Sequence, residues 1–216
     1  MRQRKSFERL EGVRPARLIV IAAEGRYTEN IYFEAMKTAM CASDVHVEVL
    51  RRDTNESNPD NVLRQILNFQ NVYELEDDDQ LWIVIDRDRW PEQMLAAVAQ
   101  HCAQGNHLFF CVSNPCFELW LLLHLEDIAG YSNDQLCLLA ANKKTTKRSD
   151  TWSKNRLKTL MGSYHESDYD TSRLLPHVNK AVERAERLDV KPADRWPQTI
   201  GTRVYLLVKS IMGDQK

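Results

Sequence analysis

Along the first 125 residues, short apolar runs alternate with stretches of helical period. Leu18 to Ala22 is a continuous apolar run, as expected of a central strand buried on both faces. Glu24-Gly25 breaks it, and Thr28 is placed to cap a helix whose Ile31, Tyr32, Ala35, Met36, Ala39 and Met40 share one face. From Val45 to Leu50, Val45, Val47 and Val49 alternate with His46 and Glu48, which predicts a strand nearer the sheet edge. Asn58-Pro59 pairs a capping residue with proline at the first helical position and opens a helix through Val62, Leu63, Ile66, Leu67 and Phe69. Leu81 to Ile85 reads as the third strand. It ends in Asp86-Arg87-Asp88-Arg89-Trp90, after which Pro91 starts a helix through Leu95, Val98 and Cys102 that Gly105 stops. Leu108 to Val112 is the fourth strand, and Ser113-Asn114-Pro115 repeats the cap-plus-proline device ahead of a helix, Phe117 to Leu123, that is apolar nearly all round. After Gly130 no strand pattern remains. Helices are predicted near Asn133 to Ala141, Ser153 to Leu160, Arg173 to Leu188 and Thr202 to Met212, with loops at Tyr164 to Asp170 and Lys191 to Pro197.

This alternation predicts an α/β fold, a mostly parallel four-stranded sheet flanked by helices with a C-terminal helical appendage. The chain divides accordingly into a basic N-terminal arm (1–16), an α/β domain (17–128) and a helical region (129–216). Its 216 residues, 43% hydrophobic and 28% charged, are enough for a sizeable core and exclude a disordered or fibrous chain. Apolar runs such as Leu18 to Ala23 and Leu119 to Leu123 fall far short of the roughly 20 residues that cross a bilayer. The basic first residues carry no apolar segment of the secretory kind, so a cytoplasmic location is expected. Five cysteines without C-x-x-C spacing argue against a disulfide framework or a structural zinc site and read as small buried hydrophobes.

A net charge of −2 excludes a uniformly basic surface, but the charges are segregated. Glu74, Glu76, Asp77, Asp78 and Asp79 read as a solvated loop ahead of a strand. Between Ala141 and Lys158, Lys143, Lys144, Lys147, Arg148, Lys154, Arg156 and Lys158 face Asp150 alone. With Trp152 among them, these cations form either a patch that follows a phosphate backbone or a solvated helix face.

In an open α/β sheet, ligands bind outside the carboxyl ends of the strands. There the first strand delivers Glu24, the third delivers Asp86 and Asp88, and the fourth delivers Ser113, Asn114 and, a helical turn on, Glu118. Carboxylates brought together repel, and a divalent cation is the usual reason to tolerate them. Mg2+, or Mn2+, suits such hard oxygen donors, and Arg26, Arg87 and Arg89 alternate with the acids where a phosphate would lie. The duller readings are that Glu24-Gly25 is a turn, Asn114-Pro115 a helix start, Glu118 a helix-dipole residue and His124 a core histidine. No P-loop or dinucleotide-binding glycine pattern is present.

Several blocks resemble one family. Leu18 to Glu29 followed by Tyr32-Phe33 resembles the strand-then-"EG..TE..YF" opening of the RloB-like proteins, which have a Toprim-like fold and occur in prokaryotic defence loci. Val84-Ile85-Asp86-Arg87-Asp88 resembles their "DrD" strand end, and Ser113 to His124 their "SNPCFElWLLLH" block. Thr202 to Val208 is similar to their C-terminal helix. The resemblance implies a Toprim-type site for magnesium-dependent phosphodiester chemistry. Asp86 and Asp88 would bind the metal, Glu24 would be a ligand or the general acid/base, and Glu118 a further ligand. Ser113 and Asn114 would orient water or phosphate; apart from the resemblance, the charge pattern makes Lys143, Lys144 and Lys147 candidates for holding substrate phosphates. It also implies a nuclease effector acting on DNA or RNA in anti-phage defence beside a partner ABC-type ATPase, with a homo-oligomer allowed and no membrane. Two other functions fit the residues: a catalytically silent regulatory or interaction subunit, and a haloacid-dehalogenase-like phosphatase. Against the second stand Arg89-Trp90 after the Asp-x-Asp pair and the pair's place on the third strand.

Overall fold

The computed structural model describes residues 16–52, 58–87, 90–144 and 146–213. Four parallel strands form the body of the sheet: β1 (Arg17–Ala23), β2 (Val45–Leu50), β3 (Gln80–Asp86) and β4 (Leu108–Asn114). A fifth, β5 (Gly201–Thr202), pairs antiparallel with β4, so the sheet is five-stranded in the order β2-β1-β3-β4-β5. The expectation of four strands, with none after Gly130, is therefore corrected. Two residues carry no period of their own; β5 is seen only through its pairing with β4, where the Ser113 and Thr202 hydroxyls also share a 2.8 Å hydrogen bond.

Strand order decides where a crevice opens. The chain steps from β1 outward to β2 and then back across β1 to β3, so the intervening helices cover opposite faces. Helix α1 (Thr28–Met40) packs with α4 (Glu118–Leu125), α7 (Val178–Leu188) and α8 (Val204–Met212) over Ile19, Ile21, Trp82 and Val84. Helices α2 (Pro59–Val72) and α3 (Glu92–Gln104) cover the other face over Leu18, Val20, Leu81 and Ile83. The carboxyl ends of β1 and β3 flank the reversal, the place where open α/β sheets bind ligands. The first apolar cluster continues into Leu139 of α5 (Asn133–Ala141) and Leu157 of α6 (Trp152–Met161).

Local chemistry explains most boundaries. Asn58 caps α2, its side chain accepting from the Asn61 N–H at 2.8 Å, with Pro59 in the first turn. Asn58→Ala should cost about 1 kcal/mol in urea unfolding, whereas Asn58→Asp should cost much less. The second expected cap of this kind is overturned. β4 runs on through Asn114, the Asn114–Pro115 peptide is cis, and α4 begins only at Glu118. The Asn114 amide instead donates to the Pro197 carbonyl at 3.0 Å, a long-range partner that no local pattern announces. Thr28 is likewise not a cap. It lies inside α1, with Tyr27 at the cap position and no side-chain capping bond. The expected helix from Arg173 divides into 3₁₀ turns at Thr171–Arg173 and Leu175–His177 before α7.

The acidic loop is not wholly solvated. Asp79 is buried, its carboxylate accepting from the Leu18 and Glu76 N–H groups, both at 2.8 Å, which ties the loop to the start of β1. In α4, Leu119, Leu121, Leu122 and Leu123 are fully buried, each contributing roughly 1.5–3 kcal/mol. His124 sits among them as a core histidine. Its Nδ1 lies 2.9 Å from the Trp120 carbonyl and its Nε2 3.0 Å from the Tyr32 hydroxyl, while burial lowers its pKa to about 4 and keeps the ring neutral. Cys102, Cys111 and Cys116 are buried as expected, whereas Cys137 is exposed. Among the described residues, no helix is long and apolar enough to cross a membrane.

Candidate functional site

Parallel pairing brings the acids together. Ala23 lies level with Val84 across β1 and β3, and the Glu24 N–H continues the ladder to the Val84 carbonyl at 2.9 Å. Asp86 closes β3 opposite Ser113. The Glu24 Oε2 accepts from the Asp86 N–H at 3.2 Å and from Trp90 Nε1 at 2.9 Å, so one carboxylate spans the gap between the two strand ends. Beyond them opens a cleft of about 420 Å3 lined by Glu24, Asp86 and Glu118 together with Arg26, Tyr27, Glu29, Arg52, Lys144 and Lys154.

Glu29 is the acid that sequence reasoning missed. It is buried in the first turn of α1, with Oε1 accepting from the Gly25 N–H at 3.0 Å. A Cβ at Gly25 would sit 1.7 Å from the Glu29 Oε2, so a larger residue there would push the carboxylate out of its present place. Burial raises the Glu29 pKa to about 7, with the charges of Glu118 and Glu24 adding to the rise and the Gly25 N–H opposing it. Its sequence signal is its place as the second glutamate of the "EG..TE..YF" block, where it reads equally as a helix-dipole residue.

The sign of its linkage is testable. Between pH 4.5 and about 7 the unfolded chain releases this proton while the folded chain keeps it, so the group costs stability as pH rises. Glu29→Gln, measured in EDTA, should be more stable than wild type by up to about 3 kcal/mol at pH 8, and equal to it at pH 4.5. Equal unfolding midpoints at both pH values would refute this account of Glu29.

The wall opposite the sheet comes from the C-terminal helices. Lys154 of α6 lies 3.7 Å from Glu118 and also bonds Glu166, and Tyr164 donates to Glu118 Oε1 at 3.4 Å. Burial alone would lower the Lys154 pKa, but Glu118 and Glu166 outweigh it and raise it. The floor is polar and fixed. Asn142, at φ 41°, donates to Cys116 Sγ at 3.1 Å and accepts from the Ser153 N–H at 3.0 Å. Burial, joined by the charges of Glu118 and Asp86, holds the Cys116 thiol well above its ordinary range, so it is a poor nucleophile.

Among the residues singled out in the sequence, Glu24, Asp86, Glu118, Arg26 and Lys144 line this cleft. Others do not. Ser113 is buried against Thr202, Asn114 is spent on Pro197, and Arg87 Nη1 donates to the Trp90 carbonyl at 3.0 Å. Lys143 and Lys147 are exposed outside the lining, and Asp88 and Arg89 lie outside the described residues. The basic segment is partly neutralised: besides Lys154, Arg156 pairs with Glu126 and Lys158 with Asp150, both at 2.5 Å. Trp152 is half-buried edge-on to Tyr131, with ring centroids 5.9 Å apart, a packing role rather than a stacking one.

Among the described residues, no group of three or more His, Cys, Asp or Glu side chains is gathered closely enough to hold a metal ion. The donor set nevertheless fits a hard divalent cation in kind, because its carboxylate oxygens face a common cleft.

The family model of RloB-like proteins matches residues 19–211, nearly the whole chain. The chain belongs to the RloB-like family. That span runs from β1 to α8 and so takes in every wall of the cleft of this RloB-like chain. No curated protein and no solved structure matches it.

Proposed function

We propose that this RloB-like chain is a Mg2+- or Mn2+-dependent nuclease with a Toprim-like site. It hydrolyses DNA or RNA in anti-phage defence under the control of a partner ABC-type ATPase. The observation that carries the reading is the placement of Glu24 and Asp86 at the carboxyl ends of adjacent central strands, where the strand order reverses, on one cleft with Glu118. The resemblance of those blocks to RloB-like proteins, which implies a Toprim-type site, supports it. Glu24 and Asp86 would hold the cation, with Glu118 across the cleft and Asp88, by sequence, the further candidates. When bound, the cation supplies charge neutralisation at phosphorus and a more acidic water.

The chain's own groups do the rest. The Asp86 N–H and the Trp90 indole fix the Glu24 carboxylate, while Lys154 and Tyr164 fix Glu118. Glu29 holds a proton near neutral pH at a carboxyl facing the cleft. Arg26 and Lys144 supply positive charge along the lining for the flanking phosphates.

The test is a panel of plasmid, single-stranded DNA and tRNA with Mg2+, Mn2+ or EDTA, with the partner ATPase in half the reactions. Cutting that appears with metal and vanishes with EDTA is the expected result. A second reading, a silent regulatory subunit, draws on Lys154, which already neutralises Glu118. Metal binding with no cutting in any reaction would favour it and sink the nuclease.

A further inference from the structure

Tyr27 is hard to explain as part of the fold. It occupies the cap position of α1 with φ −124° and ψ −59° and makes no capping hydrogen bond. Serine, threonine, asparagine or aspartate there would add about 1 kcal/mol to the helix. Nor does the ring belong to either apolar cluster, and the residue is 44% exposed. What the ring does have is a cation: the Arg26 guanidinium lies over it, 5.4 Å from the centroid. Both residues line the cleft that holds Glu24 and Asp86, and Tyr27 follows Glu24 by three positions, at most ~10 Å along the backbone. An aromatic face backed by an arginine, beside positive side chains that can track a backbone, is how proteins hold unpaired bases. A base inside a duplex is stacked on its neighbours and has no face to offer such a ring.

We propose that Tyr27, backed by Arg26, is a stacking platform for an unpaired nucleobase flanking the reacting phosphate, so that single-stranded nucleic acid is the substrate class of this cleft. The proposal rests on the nuclease reading but is tested without cleavage. Tyr27 is a positioning and specificity residue; it takes no part in bond breaking.

The experiment measures binding of fluorescein-labelled oligo(dT) and of a hairpin duplex of equal length to the full chain, at low salt in Ca2+ and in EDTA. Wild type should prefer the single strand. Tyr27→Ala should weaken oligo(dT) binding about tenfold, Tyr27→Trp should retain it, and duplex binding should not move. The dependence of affinity on salt should be the same for all three proteins, because no cation is removed. The proposal is overturned if Tyr27→Ala binds like wild type, if Tyr27→Trp fails as alanine does, if duplex binding falls equally, or if wild type binds neither probe. Unchanged melting temperatures would show that the exposed position leaves the fold intact. A Tyr27-dependent preference for single strands in a protein that never cuts would refute the nuclease reading and leave the stacking platform standing.

Discussion

Replacing Asp86 with alanine should reduce metal-dependent cleavage by on the order of a thousandfold, about 4 kcal/mol of transition-state stabilisation, with the fold unchanged. β3 keeps its main-chain pairing at this position in the alanine variant. The Asp86 backbone continues the pairing opposite Ser113, and its N–H, which alanine keeps, donates to Glu24 Oε2. The side chain is half-buried at the strand end and faces the cleft, so its loss removes an oxygen donor and leaves no cavity in either apolar cluster. Glu24→Gln is a sharper companion. The amide oxygen still accepts from Trp90 and the Asp86 N–H, but the charge is gone, so a loss of rate without a loss of stability isolates electrostatics from packing. Initial rates over a Mg2+ titration, set beside melting temperatures, measure both effects. Wild-type activity for Asp86→Ala in a clean preparation would remove Asp86 from the site and the nuclease assignment with it.

The central sheet and its rim were legible because local and tertiary demands agree there. Leu18 to Ala22 and Leu81 to Ile85 are apolar runs that become the buried strands, and the polar residues that end them fall at the one rim where strand order reverses. Asn58 was legible because its partner, the Asn61 N–H, is three residues away. What escaped has distant partners. Asn114 looks like a cap until Pro197, 83 positions on, takes its amide, and Asp79 looks solvated until Leu18 donates to it. Lys154 looks like one more cation in a basic run, and only the packing of α6 against α4 brings it to Glu118. Glu29 is missed for another reason. Helix-dipole and buried-acid roles place a glutamate at the same position, and the burial that separates them is a property of the folded chain.

Arg203→Ala should destabilise the chain by about 3–5 kcal/mol in urea unfolding, the largest stability loss expected of a single polar substitution here. Arg203 and Asp189 are both buried, 7% and 6% exposed, and meet through two bonds, Nε to Oδ2 at 3.0 Å and Nη2 to Oδ1 at 3.1 Å. The same guanidinium also donates to the carbonyls of Asp194, Lys191 and Pro192 at 2.7, 3.1 and 3.1 Å. Alanine would leave a buried carboxylate with the Tyr205 hydroxyl as its remaining side-chain donor, and would take this donor from three carbonyls at once. Little of that figure is the net worth of the pair, since two charges withdrawn from water cost nearly what their attraction returns. An Arg203→Met, Asp189→Leu double variant should therefore recover much of the loss, whereas additive costs would place the energy in the carbonyl contacts instead. The position also matters for the rim. The Arg203 N–H donates to the Val112 carbonyl of β4, and the loop it gathers delivers Trp196 to the core and the Pro197 carbonyl to Asn114. Arg203→Ala should thus loosen the β5 edge of the sheet before the β1–β3 centre. Hydrogen exchange should quicken at Arg203 and Val204 while Ile21 and Ile83 stay protected, and equal loss at all four would mean that the edge and the centre open together.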